Sequence, residues 1–426
     1  MDRFGRKIAH YAVILPTLIG WVLTVVAVNF EMLFIARILH GLSIGLLSPL
    51  RSVLIGEYSS PKNRGAFLTT VSLTQTFGIF LVHLIGSFVS WQITSLICLA
   101  FPFISLVMTI YSPESPAWLV TRGRNEECRE IFFWLRGEEE EAELEDMIHS
   151  RILFEKAQIS EKFERKTNKF QRILITIRKP EFYKPIILMM HAHCLVNFAG
   201  GTTMTAYSTV ILETVLGHGA NVYFWMIFLD GQRFVFNTLA VFAINKFKRR
   251  TMMFATGALS IISQLALAVY LYLKQENSLP FDSFAIPVIL INLKILAVAV
   301  GMLPVPNVIG GEVFPLEYRS IGGTLSLASF SATLFLVLKT FPALVDSIGM
   351  SGVYLVYGIA ISYCIGVIYF MLPETKGKTL LEIENEFRGK PLTDEEIEVR
   401  KSLQEDPIIA YKRKMSHISR KSIHIG

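Results

Sequence analysis

Ten runs of mostly apolar residues, each long enough to span a bilayer, divide this sequence, near positions 8–28, 33–55, 66–88, 91–111, 184–212, 222–244, 252–273, 284–309, 320–344 and 352–372. Inside a bilayer no water is available to satisfy backbone N–H and C=O groups, so runs of this length predict transmembrane helices. The 426 residues are 52% hydrophobic and only 18% charged, with a mean hydropathy of +0.46. Too few charges remain to cover a water-exposed surface, and the expected class is an all-α membrane protein. A secretory signal does not account for the first run, which is too long and is followed by "NFEMLFIARIL" with no small-residue cleavage pattern.

The 41 Lys and Arg fall almost entirely on one side of these runs. With residue 1 placed inside, the inner segments are 1–7, 56–65, 112–183, 245–251, 310–319 and the tail from 373; the outer loops carry one base, Lys274. This asymmetry predicts that both ends of the chain are cytoplasmic. The net charge of +6 is therefore a property of the inner rim, and the expected partner is the lipid bilayer rather than nucleic acid. Cys98, Cys194 and Cys364 fall in spans and Cys128 in the long inner segment, so no outer pair exists for a disulfide. His191 and His193 have no third ligand nearby, and no nucleotide-binding loop or nucleophile–base arrangement is present. We expect neither metal nor cofactor, and no enzyme activity.

Three short motifs occur twice. "DRFGRK" at 2–7 answers to "NKFKRR" at 245–250, "EYSSPKNRG" at 57–65 to "EVFPLEYRS" at 312–320, and "PESP" at 113–116 to "PETK" at 373–376, at offsets of 243, 255 and 260 residues. Both members of the middle pair place an acid seven residues before an arginine. Two homologous halves are implied, as in carriers built from parallel repeats. Two apolar runs precede the loop motif in the second half and none in the first, so relative to its own second half the first half is two helices short.

At these motifs, together with "ARILHGLSIG", "PESPAWLVTRGR", "FWLRG", "AYSTVIL", "GGEVFP" and "LPETKGKTLLEIE", the chain resembles the sugar porter family of the major facilitator superfamily. Its tail and "LKTFPAL" are most similar to the arthropod trehalose-transporter-like branch of that family. The resemblance implies the major facilitator fold, with ten of an expected twelve transmembrane helices in two pseudo-repeated bundles. It implies an incomplete four-helix bundle at 1–111, a cytoplasmic helical linker at 112–183, a six-helix bundle at 184–372 and a cytoplasmic tail at 373–426. It also implies a plasma-membrane location and alternating access.

By the same resemblance, Asp2, Arg6, Glu57, Arg64 and Glu114 form an inner charge network in the first half, and Arg249, Arg250, Glu312, Arg319 and Glu374 its counterpart. Asn245 and Lys248 replace the acid and the glycine of the second loop motif, so that loop is expected to be held less tightly. A sugar site needs amides, hydroxyls and aromatic faces near the midplane. The family pattern maps onto Asn197, Thr202 and Tyr207, with Gln75 and Asn307 at further cavity positions. Four charges lie inside spans: Arg37, Asp230, Arg233 and Lys294. Asp230 and Arg233, three residues apart, could pair on one helical face. Lys294, about 15 Å into its span, has no partner evident from sequence. Two readings stand. One is a porter of trehalose, a hexose or a related polyol, with facilitative uniport favoured; the other is a non-transporting paralogue that binds a solute or a partner.

Overall fold

In the computed structural model, the described residues are 1, 3–59, 61–137, 140–141, 144–145, 147–148, 177–217, 219–279, 283–315, 319–376, 378 and 380–389. Among them the chain is helical throughout. Helix α1 spans Arg6–Val25, α2 Phe30–Tyr58, α3 Pro61–Gly86 and α4 Trp91–Tyr111. Two short helices follow, α5 (Pro116–Thr121) and α6 (Asn125–Arg136). The second half contains α7 (Pro180–Phe198), α8 (Gly201–Ala206), α9 (Ser208–Leu216), α10 (Val222–Lys246), α11 (Arg249–Gln275), α12 (Ala285–Ala297), α13 (Pro304–Glu312), α14 (Arg319–Met371) and α15 (Leu380–Arg388).

The sequence punctuates these helices in recognisable ways. Asn29 caps α2 by accepting a hydrogen bond from the Met32 amide at 3.0 Å, and Asn221 caps α10 by accepting from the Phe224 amide at 3.1 Å. Ser115 caps α5 with a proline in the first turn. The run at 184–212 is not one helix: it breaks at Gly200, whose φ of +79° suits a residue without a Cβ, and again at Tyr207. The run at 284–309 also breaks, through a π-helical turn at Val298–Met302 followed by Pro304.

Among the described residues, seven helical stretches are long and apolar enough to cross a membrane, with Ala285–Glu312 counted as one through its π-helical turn. The apolar part of α14, Ile321–Met371, has 51 residues, more than twice what one crossing needs, and Gly349 at φ 70° kinks it. Large apolar side chains face outward from these helices: Phe101, Phe103, Phe335 and Phe370 are all exposed. A surface so apolar suits lipid and not water.

By contact density the chain divides into two compact units. Of the described residues, the first comprises those in 1–72 and 84–148 and the second those in 73–83 and 177–389. The middle of α3 thus belongs with the second half of the sequence. In the first unit α1 packs on α2 and α4, while Leu119, Cys128, Phe132, Leu144 and Ile148 form a small core around α5 and α6. Burial pushes the Cys128 thiol up to about 11, with Arg129 opposing, and the thiol donates to the Pro116 carbonyl at 3.4 Å. In the second unit α14 packs along α7 and α11. One of its two cores gathers Leu188, Met253, Met302 and Ile368 with Phe387 of α15; the other gathers Leu212, Leu267, Ile295 and Tyr354.

Candidate functional site: two charge latches and a buried polar face

The loop motif of the first unit folds into the N-terminus of α1. The first amides of a helix have no intrahelical acceptor and carry the positive end of the helix dipole, so a carboxylate is favoured there. Glu114, delivered by "PESP", supplies it. Its carboxylate accepts from the Arg6 amide at 2.8 Å, the Lys7 amide at 3.2 and 3.3 Å and the Ser115 amide at 2.9 Å. Gly5 allows this approach, because its φ is +97° and a Cβ there would collide with Glu114 Oε2. The Arg6 side chain then turns to α2 and grips Glu57 with both ends of its fork, Nε to Oε2 at 2.8 Å and a terminal nitrogen to Oε1 at 2.7 Å. Ser115 Oγ donates to the same Glu57 at 2.6 Å, and Arg136 donates to its backbone carbonyl at 3.0 Å.

The second unit builds the same device from the repeated motifs. Glu374 accepts from the amides of Arg249 at 3.1 Å, Arg250 at 3.2 Å and Lys376 at 3.0 Å. Arg249 reaches Glu312 at 3.4 Å, and Arg250 donates to the Tyr369 carbonyl at 3.0 Å while lying over the Tyr369 ring. Secondary contacts repeat as well. Arg6 donates to the Met1 carbonyl and Arg249 to that of Ile244, 243 residues on. The carbonyls of Arg3 and Lys246, also 243 residues apart, both accept from a base, though from non-equivalent ones, Arg122 and Lys376.

The structure thus brings Arg6, Glu57 and Glu114 together in one unit, and Arg249, Arg250, Glu312 and Glu374 in the other. Asp2 lies outside the described residues, as do the side chains of Arg64 and Arg319.

The five residues assigned to solute all belong to the second unit, in different settings. Asn197 is fully buried; its amide donates to the Phe330 carbonyl at 3.3 Å, and its Oδ1 has no partner among the described residues. Tyr207 stacks on Phe341 and donates to the Leu338 carbonyl at 3.0 Å. Thr202 is half-buried, while Gln75 and Asn307 are exposed. Among the described residues, no hydrogen bond or ring contact joins any two of these five. Of the intramembrane charges, Arg37 is exposed and the other three are buried. Arg233 and Asp230 pair at 3.8 Å. Lys294 does have a neighbour: its ammonium lies 4.5 Å from the centre of the Tyr354 ring.

Sequence reasoning overlooked a polar ladder. Thr76, Phe80 and His83 on α3 face Asn237, Gly231 and Asp230 on α10 in reverse order. Asn237 donates to Thr76 at 2.5 Å, Phe80 covers Gly231, and His83 bonds Asp230. The only sequence sign is the spacing of seven residues between Thr76 and His83 and between Asp230 and Asn237, which puts each pair on one helical face. It also overlooked Gln264, which is fully buried and donates to the Phe198 carbonyl at 3.3 Å, and whose Oε1 has no partner among the described residues. His193, for which no third metal ligand is near in sequence, is buried and pairs with Ser326 at 2.7 Å.

Comparison with known proteins places these features in context. Residues 1–387 match the family model described as "Sugar (and other) transporter". The chain is 27% identical over 390 residues to the facilitated trehalose transporter Tret1 of Bombyx mori, covering 90% of this chain and 74% of that protein. It is 24% identical to the facilitated trehalose transporter Tret1 of Aedes aegypti, covering 92% of this chain and 47% of that one, about half its length. In three dimensions it is similar to the inward-open xylose transporter XylE of E. coli, with a TM-score of 0.71, 19% identity, and coverage of 90% of this chain and 84% of that chain. That likeness establishes the major facilitator fold.

Proposed function

Because this chain belongs to the sugar (and other) transporter family, we propose that it moves trehalose, a hexose or a related polyol across the plasma membrane by facilitative uniport, with both its ends cytoplasmic. The observation that carries this reading is the latch built twice, Arg6–Glu57–Glu114 and Arg249–Glu312–Glu374, at the ends of equivalent helices. Side-chain contacts gathered at helix ends can be made and released as a set, which suits alternating access. Asn197, Thr202 and Tyr207, with Gln75 and Asn307, are the residues we assign to the solute. The unpaired Oδ1 of Asn197 supports that assignment, since a buried acceptor without a partner is costly unless a ligand or water fills the need.

Uptake of labelled trehalose and glucose into liposomes holding the full chain tests the proposal. Saturable uptake that equilibrates without accumulating is the expected result, and Asn197→Ala and Tyr207→Phe should lower it. Absence of saturable flux from inserted, folded protein would sink the transport reading and leave the binding one.

A further inference from the structure

Two basic side chains, Arg233 and Lys294, are buried in the second unit and line one small cavity, and a single carboxylate, Asp230, lies beside Arg233. Arg233 of α10 donates to Thr205 Oγ1 at 2.6 Å and to the Gly201 carbonyl at 3.3 Å, and faces Asp230 at 3.8 Å. Asp230 is itself shared with His83. Lys294 of α12 lines the same small cavity as Arg233. Its ammonium rests on the backbone of Gly200, where an added Cβ would lie 2.8 Å away. Apart from the Tyr354 ring, it has no partner among the described residues.

An ammonium carries three donors, and among the described residues none of those of Lys294 meets an acceptor. A ring face offsets the desolvation of a buried cation only in part. With Lys294 protonated, two positive charges face the single negative charge of Asp230, so an anion beside Lys294 would balance the cluster.

A small cavity lies where that charge belongs. Arg233, Lys294, Gly200, Gly201, Met204 and Tyr354 line it, and it has room for about one water molecule. We propose that this cavity is a binding site for a small monovalent anion of chloride size, held by Lys294 Nζ and the Arg233 guanidinium. Water would accept a hydrogen bond there but leave the excess charge in place. A phosphate or a sugar acid is too large for the space. The anion would take up the donors of Lys294 and tie α10 and α12 to the break between α7 and α8.

The test is thermal unfolding of the purified full-length chain in detergent, titrated with chloride at constant ionic strength with gluconate as the replacing anion. We expect a saturable rise of about 2–4 °C, reproduced by bromide, lost in Lys294→Met and retained in Lys294→Arg. Lys294→Met keeps the length of the side chain without its charge, and its melting in gluconate should equal or exceed that of the parent, which verifies folding. Arg233→Gln, which keeps a donor toward Thr205, should weaken the chloride shift. The absence of any chloride shift in the parent, or a shift of equal size in Lys294→Met, would overturn the proposal. The readout is binding and not flux, so its failure is distinguishable from failure of the sugar-transport reading.

Discussion

The two latches use the same residue types at the same repeat positions, yet they are unequally made. In the first unit Arg6 holds Glu57 with two bonds of 2.7 and 2.8 Å, and Ser115 adds a third. In the second unit Arg249 holds Glu312 once, at 3.4 Å, while Arg249 Nε, Glu312 Oε2 and the hydroxyl of Thr375, the counterpart of Ser115, are buried without partners among the described residues. The carboxylate at the helix N-terminus survives in both, as Glu114 and Glu374. Backbone amides are present whatever the sequence, so this contact tolerates the change from Gly5 to Lys248. The side-chain fork does not, because it needs the arginine at one place and angle. What distinguishes the units is therefore geometry at the arginine, not the inventory of charges.

The largest expected effect comes from removing the acid. Glu57→Gln leaves the Arg6 guanidinium half-satisfied in a buried setting and should cost about 2–3 kcal/mol, read as unfolding of the purified chain in detergent. Glu312→Gln should cost less than about 1 kcal/mol, as for a single long contact. Equal losses would erase the distinction between the two latches. Next comes the glycine. Gly5→Ala must hold a Cβ at positive φ against Glu114, a cost of about 2 kcal/mol, whereas Lys248→Gly in the second loop, where φ is already −68°, should change stability by less than about 0.5 kcal/mol.

Much of this comparison is written in the order of the amino acids. The latch residues are legible because their motifs recur at fixed offsets, so each half acts as a template for the other. Membrane class and helical fold follow from apolar runs that only a bilayer explains. Other features are not legible, for identifiable reasons. That Thr76 and His83 meet Asn237 and Asp230 depends on which helices are neighbours, and one sequence does not contain that information. Lys294 has no partner evident from sequence because its neighbour is a ring face on a helix 60 residues away. The breaks at Gly200 and Tyr207 fall among Gly, Thr and Ser residues, but the run as a whole is apolar enough to read as one span.

The residue after each helix-terminal acid gives the smallest and most discriminating contrast. Ser115 is fully buried; its hydroxyl donates to Glu57 and accepts from the Trp118 amide at 3.4 Å, so Ser115→Ala should cost about 1–1.5 kcal/mol in the same unfolding assay. Thr375 is buried too, but its hydroxyl has no partner among the described residues. Thr375→Val keeps the shape and removes a polar atom with an unmet need, so it should be neutral or stabilise by up to about 1 kcal/mol. Opposite signs at equivalent positions would locate the asymmetry in hydrogen-bond satisfaction. If Thr375→Val destabilised as much as Ser115→Ala, the threonine hydroxyl would have a partner in the folded protein, and the second latch would be as fully made as the first.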